Sequence, residues 1–222
     1  MTTNPAILHL LLTSRLSVTA MNWLTTALDR IAADHTTIRA LFPTVGRHCG
    51  REGLLGAPDA HETSELHRWS VDDAARTLML AALPLSRAEL GTEVAALYRY
   101  GDAAEKRGVL RGLGSLDSTE ELDERALPLV HDGLRTNDTR IITAAMAAYG
   151  ARRLDQAAYR QGVLKCVFLG IPLSDIDGLD ARGDAELVRM LTDYARERRA
   201  AGRDVPADVW RVVDPNELSR ET

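Results

Sequence analysis

At 222 residues the chain is long enough to bury a sizeable hydrophobic core without disulfides or a structural metal. Aromatic residues are only 5% of it while alanine, leucine and arginine dominate, a balance that favours helices and leaves little material for sheet. A formal charge of −5 argues against a nucleic-acid protein, which needs clustered cations to displace counterions from phosphates.

The N-terminal "NPAILHLLLTS" reads as an apolar helix packed on the core. It has no basic flank or small-residue cleavage site, and it is too short to span a bilayer, so no stable membrane insertion is expected. A second helix follows, in which Met21, Leu24, Leu28 and Ile31 recur at the helical period. Glycine and polar residues then crowd the segment from Pro43 to Glu65, which predicts loop with short helical turns.

Beyond this loop, capping-box pairs mark four helix starts: Ser70 with Asp73, Ser86 with Glu89, Asp102 with Glu105, and Ser118 with Glu121. Asn137 or Asp138 predicts a fifth start with an end at Gly150. Asp155 predicts a sixth ending at Gly170, and Asp184 a seventh ending near Gly202. The stretch "VAALYRYGD" is echoed 36 residues later by "VHDGLRTND", with Val94, Arg99 and Asp102 matching Val130, Arg135 and Asp138. The "RGD" of Arg182 to Asp184 gives a shorter third copy. Such a period points to stacked helix pairs, each hiding its apolar face against its neighbours. The expected architecture is therefore all-α, HEAT-like stacked helical-hairpin repeats with an N-terminal helical extension. Residues 1–68 supply the N-terminal helices and polar loop and 69–222 the repeat region, in one continuous domain.

Arginine in the last turn of one helix and an acid capping the next is explained by the helix dipole alone. Stacking would also align Arg99, Asp102, Arg135, Asn137 and Asp138 on one edge, where they could grip an anionic or polyhydroxylated small molecule. Within the second junction, Gly133 costs a helix about 1 kcal/mol relative to alanine and permits a close approach by backbone or ligand. His131 shares a face with Arg135, so His131 or Asp132 is a candidate acid or base. Lys165 stands in the nearly apolar "QGVLKCVFLGIPL" and must snorkel, find an acid, or become a neutral amine; Gln161 lies one turn earlier on the same face.

Asp175, Asp177, Asp180 and Asp184 lack the ligand order of a calcium loop, and Asp180 with Arg182 reads as a turn salt link. "HETSELH" carries His61, Glu65 and His67, but without the two histidines four apart that zinc helices use. Cys49 and Cys166 have no CxxC partner, which fits a reducing cytoplasm. No metal or organic cofactor is expected.

In order, "HRWSVDDAARTLML", "LYRYGDAAEKRGVLRGL", "DGLRTND", "GVLKCVFLGIPLSDIDGLDARGDAELVRMLTDYARERRAAGR" and "DVWRVV" resemble the EboA family. The resemblance covers Trp69 to Val213. It implies a component of a bacterial gene cluster for making and moving secondary metabolites, whose other members resemble prenyltransferases, cyclitol-forming synthases and metal-dependent enzymes. The family carries no agreed reaction, so no catalytic residue is transferred; its motifs add weight to a site near "DGLRTND" and Lys165. The expectation is an accessory protein that holds a small prenylated or cyclitol-type intermediate, with pathway enzymes as further partners. The alternative is a cofactor-independent lyase, isomerase or cyclase using Lys165, Arg135 and His131 or Asp132, with Arg99, Asp102, Asn137, Asp138, Gln161, Asp180 and Arg182 in binding.

Overall fold

The computed structural model describes residues 4–55, 65–117 and 122–215, and every regular element among them is helical. His61, and Ser118 with Glu121, lie outside the described residues. The helices begin where small polar side chains can satisfy orphan amides. Asn4 accepts from Ala6 N at 2.8 Å to start α1 (Pro5–Arg15), and Ser17 from Ala20 N at 3.2 Å to start α2 (Val18–Ala33). Two single-turn helices follow, α3 (Ile38–Leu41) and α4 (Val45–His48), so the polar segment is helical in its first part.

Capping boxes at Ser70 with Asp73 and at Ser86 with Glu89 open α5 (Val71–Ala81) and α6 (Arg87–Tyr100), as expected. Asp102 accepts from Glu105 N at 2.8 Å at the head of α7 (Ala103–Asp117). Next come α8 (Leu127–Arg135) and α9 (Thr139–Ala145), the latter capped by Asp138. The helix expected to run from Asp138 to Gly150 is broken, however: it stops at Met146 and restarts as α10 (Ala148–Arg153), with Gly150 inside the new helix rather than at an end. The break arises because the Gly150 backbone packs onto the Ala145 carbonyl, where a Cβ would collide with the oxygen. Asp155 caps α11 (Gln156–Phe168), and Gly170 closes it at φ +68°. A short α12 (Leu179–Arg182) precedes α13 (Ala185–Ala200), which Asp184 caps and Gly202 ends at φ +64°.

Helices α5, α7, α9 and α11 lie side by side in that order, with α6 hairpinned onto α7 and α8 onto α9. α5 is the centre of the core: every residue from Val71 to Leu80 is buried, and α1 packs across it. α5 and α7 approach closely because α7 presents glycine to its neighbour: a Cβ on Gly112 would meet Leu80 Cδ1 at 2.7 Å. Gly133 does the same for α8, facing Leu110, Ala145 and Ile141. The close approach anticipated there is made by α7 and α9. One isolated antiparallel bridge joins Gly53 to Ser70, with Leu54 N donating to Trp69 O and Val71 N to Glu52 O, and it ties the N-terminal segment to the head of α5.

Candidate functional site

A cleft of about 750 Å³ is built from four parts of the chain. The head of α5 gives Trp69, Ser70 and Asp73; α7 gives Arg107 and Arg111; the first turns of α9 give Thr139, Arg140 and Thr143. The fourth wall is the loop after α11, from Leu169 to Pro172, with Asp175 beyond it. His67 and Arg68, in the 3-10 turn Glu65–Arg68, close the remaining side.

The loop wall is held from several directions. Arg68 donates to Ser174 O at 2.8 Å and to Asp177 Oδ1 at 3.0 Å. Leu173 N donates to Asp208 Oδ2 at 2.7 Å, Tyr159 Oη to Asp177 O at 2.8 Å, and Asp177 N to Met146 O at 3.2 Å. The backbone N–H groups of Leu169, Gly170, Ile171, Leu173, Asp175, Ile176 and Asp177 are all engaged within the protein.

Ion pairs form the floor. Arg107 Nε donates to Asp73 Oδ1 at 2.8 Å and its Nη2 to Ser70 Oγ at 2.8 Å and Asp72 Oδ1 at 3.2 Å. Beneath it, Asp72 also pairs with Arg76, and both side chains are essentially sealed from water. At the rim, Arg140 grips Asp138 with Nε and Nη2 at 3.0 and 2.7 Å. Asp138 is thereby held below the ordinary carboxylate range, chiefly by this hydrogen-bonded arginine.

Arg111 differs from all of these. It is 5% exposed, and its guanidinium makes one hydrogen bond, from Nη2 to Arg68 O at 3.3 Å, while its Nε is buried without a partner. The Trp69 ring lies 5.8 Å from it. Burial pushes its pKa down and Asp73 opposes that shift, yet a guanidinium remains charged at any ordinary pH. A cation thus stands in the cleft wall without a carboxylate of its own.

None of the eleven residues singled out in the sequence lines this cleft. Lys165 is half-buried and donates to Leu134 O at 2.7 Å and Thr136 O at 2.6 Å, closing the last carbonyls of α8. Lys165→Met should therefore cost about 2 kcal/mol in urea unfolding through these two charge-assisted bonds, with ligand retention unchanged. Arg135 and Asp132 pair at 3.0 Å on the surface, and Tyr98 Oη donates to Asp132 at 3.1 Å. His131 is half-buried on the same helix; Asn137, Gln161, Asp180 and Arg99 are exposed, Arg99 lying 5.7 Å over the Tyr100 ring. Asp102 serves as the cap of α7. Arg182 turns from Asp180 to the carbonyls of Ala151 and Leu154 at the end of α10, at 2.7 and 2.9 Å, and lies 4.3 Å over the Tyr159 ring of α11.

The residues that do line the cleft had one visible signal in the sequence. Arg107 and Arg111, one turn apart in "KRGVLRG", share a face of a helix that is rich in leucine and glycine. Among the described residues no cluster of three His, Cys, Asp or Glu side chains could hold a metal ion. The two thiols stand away from the cleft, and burial pushes Cys49 up to about 11 and Cys166 up to about 12. No described helix is long and apolar enough to cross a membrane.

No curated protein and no solved structure matches the chain. Residues 5–214 match the family model described as metabolite traffic protein EboA, which takes in the cleft and all the described helices, and the chain belongs to the EboA family.

Proposed function

We propose that the protein holds a small-molecule intermediate of a secondary-metabolite pathway in the cleft between α5, α7, α9 and the loop after α11, working in the cytoplasm beside pathway enzymes. The observation that carries this reading is the fixed wall: a concavity of about 750 Å³ has the size of a metabolite site, and its loop is anchored by Arg68, Asp208, Tyr159 and Met146 without a ligand. The family description supports a role in moving metabolites. Catalysis at Lys165 has less support, since its ammonium is engaged by two carbonyls outside the cleft.

We read the scaffold as a HEAT-like stack within one continuous domain. Side-chain bonds join helices of successive pairs at similar lags: Arg107 to Asp73 and Tyr98 to Asp132 each span 34 residues, and Arg153 to Asp117 spans 36. Such a lag is what successive hairpins of one repeat length produce.

Thr139→Trp places an indole in the cleft from an exposed position in the first turn of α9. Native mass spectrometry after incubation with a bacterial metabolite extract should show a bound compound on the parent protein and none on this variant, with equal melting temperatures. Equal retention by both proteins, or none by either, would overturn the reading.

A further inference from the structure

We propose that the ligand of this cleft carries one carboxylate, which pairs with the buried Arg111 guanidinium, and an apolar body lying against Trp69, Leu169 and Ile171. This rests on the cleft being the ligand site. The arginines around Arg111 are already matched: Arg68 to Asp177 at 3.0 Å, Arg107 to Asp73 at 2.8 Å, and Arg140 to Asp138 at 2.7 Å. Among the described residues Arg111 has only the Arg68 carbonyl, although it is 5% exposed and nearly as buried as the paired Arg76 at 1%. A buried cation kept without a counter-ion destabilises the free protein, and a ligand anion removes that cost on binding.

The number of charges follows from the carboxylates in the same walls. Asp73 lines the cleft already engaged by Arg107, whereas among the described residues Asp175 makes no ion pair and accepts from Ser174 Oγ at 3.3 Å. A diphosphate would add a second charge to a cleft whose other arginines are already paired and whose lining also carries Asp73 and Asp175. A planar carboxylate matches the paired donors of one guanidinium. Trp69 and Ile171 are buried wall residues and Leu169 is partly exposed at the mouth, so the remainder of the ligand meets apolar surface.

The probes are 2-naphthoate, its neutral isostere 2-naphthamide, and 2-naphthyl phosphate, titrated calorimetrically into the full chain. The parent should bind 2-naphthoate about tenfold more tightly than the amide, as one charge-assisted contact implies, and more tightly than the phosphate. In Arg111→Met the preference for carboxylate over amide should vanish while the melting temperature stays equal or rises. An arginine serving only the fold would instead lower it. Should Arg111→Met fail to fold, Arg111→Lys carries the test: its preference drops severalfold, because an ammonium lacks the paired donors. Equal binding of carboxylate and amide, no carboxylate binding, tighter phosphate binding, or a preference that survives these substitutions would overturn the proposal. If Thr139→Trp still abolishes retention of extract compounds, such a failure leaves the cleft reading standing; if it does not, both fall.

Discussion

Asp72→Asn should lower the unfolding free energy by about 3–5 kcal/mol, read from urea denaturation. Asp72 is 0% and Arg76 1% exposed, and their ion pair is sealed from water. With the carboxylate gone, the Arg76 guanidinium stays charged and cannot move to water. Its stem is pressed against α7, where a Cβ on Gly108 would meet Arg76 Cδ at 2.6 Å, and its head lies 5.4 Å over the Phe42 ring. Its Nε already lacks a partner. A domain of this size holds only about 5–15 kcal/mol in total, so the variant should be largely unfolded by modest denaturant. Adding Arg76→Met should restore most of the loss, because removing both charges of a buried pair is nearly neutral. A single variant as stable as the parent would mean that water reaches this pair.

Gly150→Ala should cost about 3 kcal/mol, although alanine is the better helix former and the position lies within α10. The added methyl falls on the Ala145 carbonyl oxygen, a backbone atom that no rotamer change can move, and it also meets Val130 Cγ1 at 3.4 Å. Relief requires opening the turn at Met146 and Ala147 and shifting α10 off α8. Gly91→Ala in α6 is the contrast: its methyl meets only the flexible side chain of Arg125, nearest at 3.2 Å, and should leave stability unchanged or slightly raised. Thermal unfolding of the two variants separates helix propensity from close packing. Equal behaviour would show that Gly150 does not need its close approach.

The contrast between these glycines also marks how far the sequence could be read. Helix starts were legible because a cap is local: Ser70, Ser86, Asp102, Asp138, Asp155 and Asp184 each bond an amide two or three residues away or face a box partner at that distance. Gly170 and Gly202, at positive φ, ended helices as a local conformational rule requires. Gly150 obeys no local rule; its role exists only once α9 has folded back on α10. Lys165 and Arg182 looked like candidates for a site because a cation in apolar surroundings is conspicuous in one dimension. Both answer carbonyls 28 to 31 residues away at helix ends, as the bonds from Lys165 to Leu134 and Arg182 to Leu154 and Ala151 show.

The cleft was hidden for a related reason. The chain is rich in arginine, and the property that distinguishes Arg111 from its neighbours is that, among the described residues, no carboxylate is bonded to it, which only three dimensions decide. Its spacing from Arg107 placed both on one helical face but could not say which would find Asp73.

The pinned loop between α11 and α12 has a consequence for recognition. A receptor whose wall is cross-braced to a 3-10 turn, a neighbouring helix and the C-terminal segment undergoes little ordering when a guest arrives. Discrimination among guests then comes from how well a rigid outline is filled. If the cleft holds the proposed ligand, related compounds of the wrong breadth should be turned away by steric mismatch, while a fitting one should enter and leave without the wall having to melt.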